Sequence, residues 1–99
     1  MSPLTSISLS GMNAAQTALG ASAHNIANGG TAGFRRQLVT QATAPNGGVT
    51  TALAQASEVG SALESDIVGQ LVAKNAFLAN LTVFRTSNKM LGSLLNSQG

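Results

Sequence analysis

Cysteine, tryptophan and tyrosine are absent from this 99-residue chain, proline occurs twice, and only 8% of the residues are charged. Without cysteine there are no disulfides and no thiolate chemistry, which suits any compartment. The five cations, Arg35, Arg36, Lys74, Arg85 and Lys89, are dispersed. No Tyr or Trp is interleaved with them to stack on bases, so nucleic-acid binding is not expected. The high isoelectric point reflects a shortage of acids, since the formal charge is only +2. Ser10, Thr31 and Ser87 belong to no set of nucleophile, base and orienting acid, so an enzyme is the weakest class. His24 has no second His, no Cys and no carboxylate near it in sequence. No metal and no cofactor are expected, and its plain role is a cation near a helix C-terminus when protonated.

The start, Met1-Ser2-Pro3-Leu4, lacks the basic and apolar regions of a cleaved signal peptide, and nothing downstream reads as apolar for long enough to span a bilayer. Membrane insertion is therefore not expected, and export would need a route without a cleaved signal.

What is present points to one mainly α domain over residues 1–99, in which two long antiparallel helices form a coiled-coil-like hairpin with a short β-hairpin or loop between them. Ser2-Pro3 is an N-cap and N1 pair, and Asn28-Gly29-Gly30 suits a left-handed C-cap, so helix one is predicted over residues 3–28. It would be about 39 Å long. Leu9, Met12, Gln16, Leu19, Ala23 and Ile26 alternate at three and four residues and read as a packing seam. Beside them, Gly11, Ala14, Ala15, Ala18 and Ala21 make a small-residue face that permits close helix approach. Gly11 and Gly20 each cost about 1 kcal/mol in an isolated helix relative to Ala, so this segment is expected to fray first.

Residues 29–60 form a turn and then two stretches rich in Val, Thr and Leu, Gln37 to Thr43 and Val49 to Ala54, separated by Pro45-Asn46-Gly47-Gly48. This reads as a hairpin or as a flexible linker. The second helix is predicted over 61–96, because Ser61-Ala62-Leu63-Glu64 is a capping-box pattern and Glu64 and Asp66 suit the positive end of its dipole. Ile67, Leu71, Leu78, Leu81, Phe84, Leu91 and Leu95 mark its broad apolar face, widened by Phe77. At about 52 Å this helix overhangs the first by more than two turns. Its large side chains cannot all be covered by helix one, which lies within the first thirty-four residues of the chain, a stretch through Phe34 with no Asp, Glu, Lys or Arg. An uncharged helix beside surplus apolar surface implies assembly with something else.

Two segments carry a family resemblance. Ser10-Gly11-Met12-Asn13-Ala14-Ala15-Gln16, then Asn25-Ile26-Ala27-Asn28, Thr31 and Gly33-Phe34-Arg35-Arg36-Gln37, resembles the N-terminal motif of bacterial flagellar axial proteins, the rod and hook group. Ala73-Lys74-Asn75-Ala76-Phe77-Leu78-Ala79-Asn80, with Thr86, Met90-Leu91 and Leu94-Leu95, is similar to that group's C-terminal helix. The resemblance implies a structural subunit in the periplasmic span of the flagellar basal body. Its terminal helices would pack with copies of itself or with other rod and hook proteins, after passage through the flagellar type III export apparatus. The alternative is a small helical interaction module, an adaptor that binds one export or assembly partner without polymerising.

The chain departs from that group in its short middle segment, in Lys74-Asn75 where Gln-Arg is common, and in Asn88-Lys89 where an acidic pair is common. The last change alters charge complementarity toward the usual partner. Among individual residues, Asn25 and Asn28 suit either specific amide hydrogen bonds at the chain reversal or contact with a neighbour; equally, Asn simply suits helix ends. Gly33 supplies backbone freedom for the turn into Phe34, which would plug the base of the hairpin. Arg35 and Arg36 would pair with acids of an adjacent subunit or stay solvated.

Overall fold

The computed structural model describes residues 3–98. It is mainly helical, with the order α1 (Pro3–Ala27), β1 (Gln37–Thr43), β2 (Val49–Gln55) and α2 (Leu63–Gln98). Pro3 starts α1, where its missing N–H costs nothing. Within α1 the hydroxyls of Ser8, Ser10 and Thr17 donate back to the carbonyls of Thr5, Ile7 and Asn13, so these polar groups are satisfied inside the helix.

The end of α1 differs from the expected left-handed cap. The described residues with positive φ are Gly33, Gly47 and Gly60, not Asn28, Gly29 or Gly30. The reason is local: Asn28 Nδ2 donates to the His24 carbonyl at 2.9 Å, and Gly29 N–H and Thr31 N–H donate to the carbonyls of Ile26 and Asn28. These bonds satisfy the helix end, and the left-handed residue comes later, at Gly33. α2 also begins later than predicted, at Leu63 rather than Ser61, and runs to Gln98 rather than Asn96. Gly60 N–H donates to the Phe34 carbonyl and holds the incoming chain against the α1–β1 connection. Ala62 then accepts the first helical bond, from Asp66 N–H, so the Ser61 capping box does not form.

The middle of the chain is a hairpin and not a linker. β1 and β2 pair antiparallel from Gln37↔Gln55 to Thr43↔Val49. Ala44 N–H donates to the Gly48 carbonyl and Gly47 takes φ +90° to close the turn. The hairpin lies along α1: its base meets Asn25, while at its tip Val49 N–H donates to Ser10 Oγ at 3.0 Å.

The helices contact one another in opposite sense, with Gly11 beside Asn80, Ser22 beside Gly69 and Asn25 beside Asp66. A Cβ at Gly11 would lie 2.6 Å from the Asn80 side-chain oxygen, so glycine is what lets the helices approach here. Continued one residue for one residue, this register sets Leu4 opposite Ser87. Residues 89–98 therefore run on for about 15 Å past the start of α1.

The faces that meet are not the ones the seam predicted. On α1 the buried residues are Thr5, Ser8, Met12, Ala14, Ala15, Ala21 and Asn25. Of the expected seam only Met12 is fully buried; Ile26 is half-buried, and Leu9, Gln16, Leu19 and Ala23 are exposed. The small-residue face won because it brings the two backbones close enough to exclude water along the contact. On α2 the facing residues are Asp66 and Ala73, buried, with Ala76, Phe77, Asn80, Leu81, Phe84 and Ser87 half-buried. Ile67, Leu71, Leu78, Leu91 and Leu95 are exposed.

A further correction concerns bilayers. Residues Leu63–Asn96 of α2 are long and apolar enough to cross a membrane by length and composition, with a mean hydropathy of 1.3 over their best window. A search for unbroken apolar runs misses this, because single polar residues such as Gln70 and Asn80 interrupt the runs without lowering the average below that of a span.

Candidate functional site

The site with the most specific geometry lies where the end of α1, the start of β1 and the start of α2 converge. Its centre is Asn25, which the register of α1 turns inward and leaves 2% exposed. Its side-chain amide acts as a strand partner for Gln37: Gln37 N–H donates to Oδ1 at 2.7 Å, and Nδ2 donates to the Gln37 carbonyl at 3.0 Å. The first residue of β1 would otherwise present both groups unpaired at the sheet edge.

Asn25 Nδ2 also donates to Asp66 Oδ1 at 3.2 Å, and Asp66 is 3% exposed. Arg36 completes the cluster as a fork, with Nε donating to Oδ2 at 3.2 Å and Nη2 to Oδ1 at 2.5 Å. Such paired hydrogen bonds are directional as well as strong. The Arg36 bonds hold the Asp66 carboxyl below its ordinary value, against the opposing effect of burial and with further help from Asn25. Reciprocally, the Asp66 bond raises the Arg36 guanidinium. A buried carboxylate without these donors would be costly.

Around this centre the other motif residues build the reversal. Asn28 caps His24, and its Oδ1 accepts from the Thr31 hydroxyl at 3.3 Å. Phe34 N–H donates to the Thr31 carbonyl, and Gly33 takes φ +72° between them. The Phe34 ring is half-buried and tilts over His24, with centroids 5.4 Å apart. Arg35 is exposed. Asn25 and Arg36 thus meet in one cluster, while Asn28 and Phe34, half-buried, and Thr31 and Gly33, exposed, form a second layer outside it.

Sequence reasoning missed two members. From the sequence Asp66 is a helix-dipole acid and Gln37 the first residue of a strand. The signal available for Asp66 was its rarity as one of three acids, but only the interhelical register shows that it faces Asn25. Arg36 meets an acid of its own chain rather than of a neighbour. Among the described residues no three of His, Asp and Glu converge as metal ligands.

A groove of about 470 Å³ adjoins the cluster. The α1 residues Ala14 and Ala18 form its floor, Leu38 and Val39 of β1 one wall, and Val72 and Ala76 of α2 the other. It is open and mostly apolar, with Asn25, Arg36, Gln37 and Asp66 of the cluster in its lining. What the cluster does chemically is fix one chain path, so the groove and the exposed helix faces are presented at set angles. No protein family and no curated protein matches this chain.

Proposed function

We propose that the chain is a structural subunit of the bacterial flagellar rod or the adjoining proximal axial structure. In this reading it packs through its two helices with copies of itself or with other rod and hook proteins, after passage through the flagellar type III export apparatus. One observation supports the assembly part above all others: the fully buried positions between the helices are small or polar apart from Met12, and much of the large apolar surface of α2 lies outside the contact. Leu71 is 57% exposed, Leu78 47%, Leu94 58% and Leu95 62%. At about 25 cal/mol per Å², covering this surface is a substantial driving force, and the helix pair alone cannot cover it.

The coiled-coil-like arrangement belongs to this proposal in a revised form. Leu9 and Leu19 of α1, with Ile67, Leu71 and Leu78 of α2, are the knobs offered to neighbouring helices, and the small-residue contact holds each subunit together internally. A head-to-tail contact that does not close generates a tube from one repeated interface. The terminal motifs point to the flagellar axis as the place for such a tube.

The substitution of Asn88-Lys89 for an acidic pair favours a second reading, an adaptor with one partner, because it changes the charge that a neighbouring subunit would meet. Sedimentation and electron microscopy of concentrated protein, with pull-down of purified rod and hook subunits, separate the two. Filaments or mixed assemblies support the axial reading, and a saturable one-to-one complex supports the adaptor. A monomer that ignores every axial component but enters liposomes would overturn both in favour of a membrane helix. Lys74, placed mid-helix, costs roughly 2.5–3.5 kcal/mol at a bilayer centre, which weighs against that outcome.

A further inference from the structure

The hairpin carries information that the helices do not. Ala44 N–H donates to the Gly48 carbonyl and Ala56 N–H to the Arg36 carbonyl. With the register Thr40↔Ala52, this makes the even-numbered pairs the ones that exchange hydrogen bonds inside the hairpin. The backbone groups of odd-numbered residues therefore point outward along the two edges. On β1, both outward groups of Gln37 are taken by Asn25, and the rest of that edge borders the groove facing α2. On β2, the Val49 N–H is taken by Ser10. The outward N–H and C=O groups of Thr51 and Leu53 have no partner among the described residues, and every residue from Thr50 to Gln55 is exposed.

Exposed edges are normally blunted by charge or proline, and neither strand has any. Leu53 lies on the same side of the ribbon as Val39 and Val49, which are half-buried against the helices, yet is itself 59% exposed. β2 thus projects past the helix pair with an apolar side chain uncovered and its hydrogen bonds open.

We propose that β2 pairs edge to edge, antiparallel and about a two-fold axis, with β2 of a second copy, joining two hairpins into one four-stranded sheet. A two-fold axis through Ala52 sets Thr51 opposite Leu53 of the second copy and the reverse. These are the residues whose groups face outward, so each pair closes two hydrogen bonds. The uncharged strand meets its own copy without repulsion, and Leu53 gains cover from the Thr51 side chain opposite. Sheets of three or more strands are stable where an isolated hairpin is marginal, which supplies the gain. This contact is closed and separate from the helix contacts of the axial reading, and does not depend on it.

The axis also provides the test. Ala52 meets Ala52 of the second copy as a non-hydrogen-bonded pair, with Cα atoms about 4.5 Å apart. That lies within the roughly 4.4–6.8 Å a disulfide spans. The chain has no cysteine of its own. Under mild oxidation of the full chain, Ala52→Cys is expected to give a covalent dimer in high yield, while Thr50→Cys, displaced from the axis, forms no cross-link. Thr51→Pro removes an outward N–H and leaves the inner ladder whole. It should keep the helical circular dichroism and abolish the two-fold dimer in sedimentation. Equal cross-linking of Ala52→Cys and Thr50→Cys, or a Thr51→Pro chain that still dimerises with the wild-type affinity, overturns the proposal. In an Ala52→Cys background, Leu91→Asp tests the helix contacts separately: it should remove larger assemblies and leave the cross-link.

Discussion

The two ends of α2 are built on opposite principles. At its start, Asp66 is buried among Arg36, Asn25 and the backbone of Gln37, and every hydrogen-bonding group of its carboxylate has a donor. At its far end, Met90 is 67% exposed and Leu94 and Leu95 are scarcely covered, because α1 has already ended beside them. One end is polar and closed within the chain; the other is apolar and open. Specificity of fold resides where geometry is demanding, and the capacity to associate resides where it is not. The contrast also moves the expected site of fraying. α1 is the better buried helix, so hydrogen exchange should be fastest in α2 beyond Asn88, not in the first turns of α1.

The sharpest way to break this contrast is to open the closed end. Asp66→Ala leaves Arg36 half-buried without its partner and removes one acceptor from Asn25. Breaking a buried pair from one side costs roughly 3–5 kcal/mol. Against about 5–15 kcal/mol for a whole domain, urea denaturation should show most of the monomer's stability gone. The same pair sets an acid dependence. Because the folded Asp66 carboxyl titrates below its ordinary 3.8, its stabilisation is fully present above that value and is lost as the pH falls below it toward the lowered folded value. Denaturation followed through this range should show a loss that Asp66→Asn no longer shows.

A middling effect is expected from the contact between the ends. Gly11→Ala places a methyl against the Asn80 amide, which is itself committed to the Ala76 carbonyl at 2.8 Å. Overpacking of this kind costs about 1–3 kcal/mol, although alanine is otherwise the better helix former. Gly20→Ala is the control, since nothing lies within contact of the added methyl there, and it should stabilise by up to about 1 kcal/mol. Thermal unfolding of the two variants in parallel would separate helix propensity from interhelical space.

Cutting the open end should do less to the monomer and more to its association. A chain ending at Asn88 loses Met90, Leu91, Leu94 and Leu95, which touch little of their own subunit. The unfolding free energy from urea denaturation should fall by about 0.5 kcal/mol or less, while sedimentation should show higher assemblies disappearing. A large loss of monomer stability would mean that the end packs internally after all, and the contrast would fail.

How much of this was legible differs by element. The two helices followed from local signals such as Pro3, while the Val/Thr stretches and the Gly-rich turn left a hairpin and a flexible linker both open. The rotation of α1 was not legible from apolar spacing. Leu9, Leu19 and Ile26 outrank Ala14, Ala15 and Ala21 in hydrophobicity, and only the close approach of a second helix reverses the order. Asn25 stood out by type but not by partner, and Asp66 by neither, since their meeting depends on a register over forty-one residues of chain. The average hydropathy of α2 was hidden for a different reason: isolated amides break the runs that the eye follows.

The smallest effect concerns the place where the two regimes meet. Ser87 lies opposite the start of α1, and its Oγ is buried without a hydrogen-bond partner among the described residues. It is the last residue that α1 covers, and an orphaned hydroxyl there is a remnant of polar patterning in a position that packing has closed. Removing an unsatisfied buried group is nearly neutral or favourable, since the desolvation cost leaves with it. Ser87→Ala should therefore raise stability by about 0.5–1 kcal/mol, aided by the higher helix propensity of alanine. Were it instead to destabilise by as much as a lost hydrogen bond, the hydroxyl would have a partner in solution, and the closed region would reach further along α2 than the register implies.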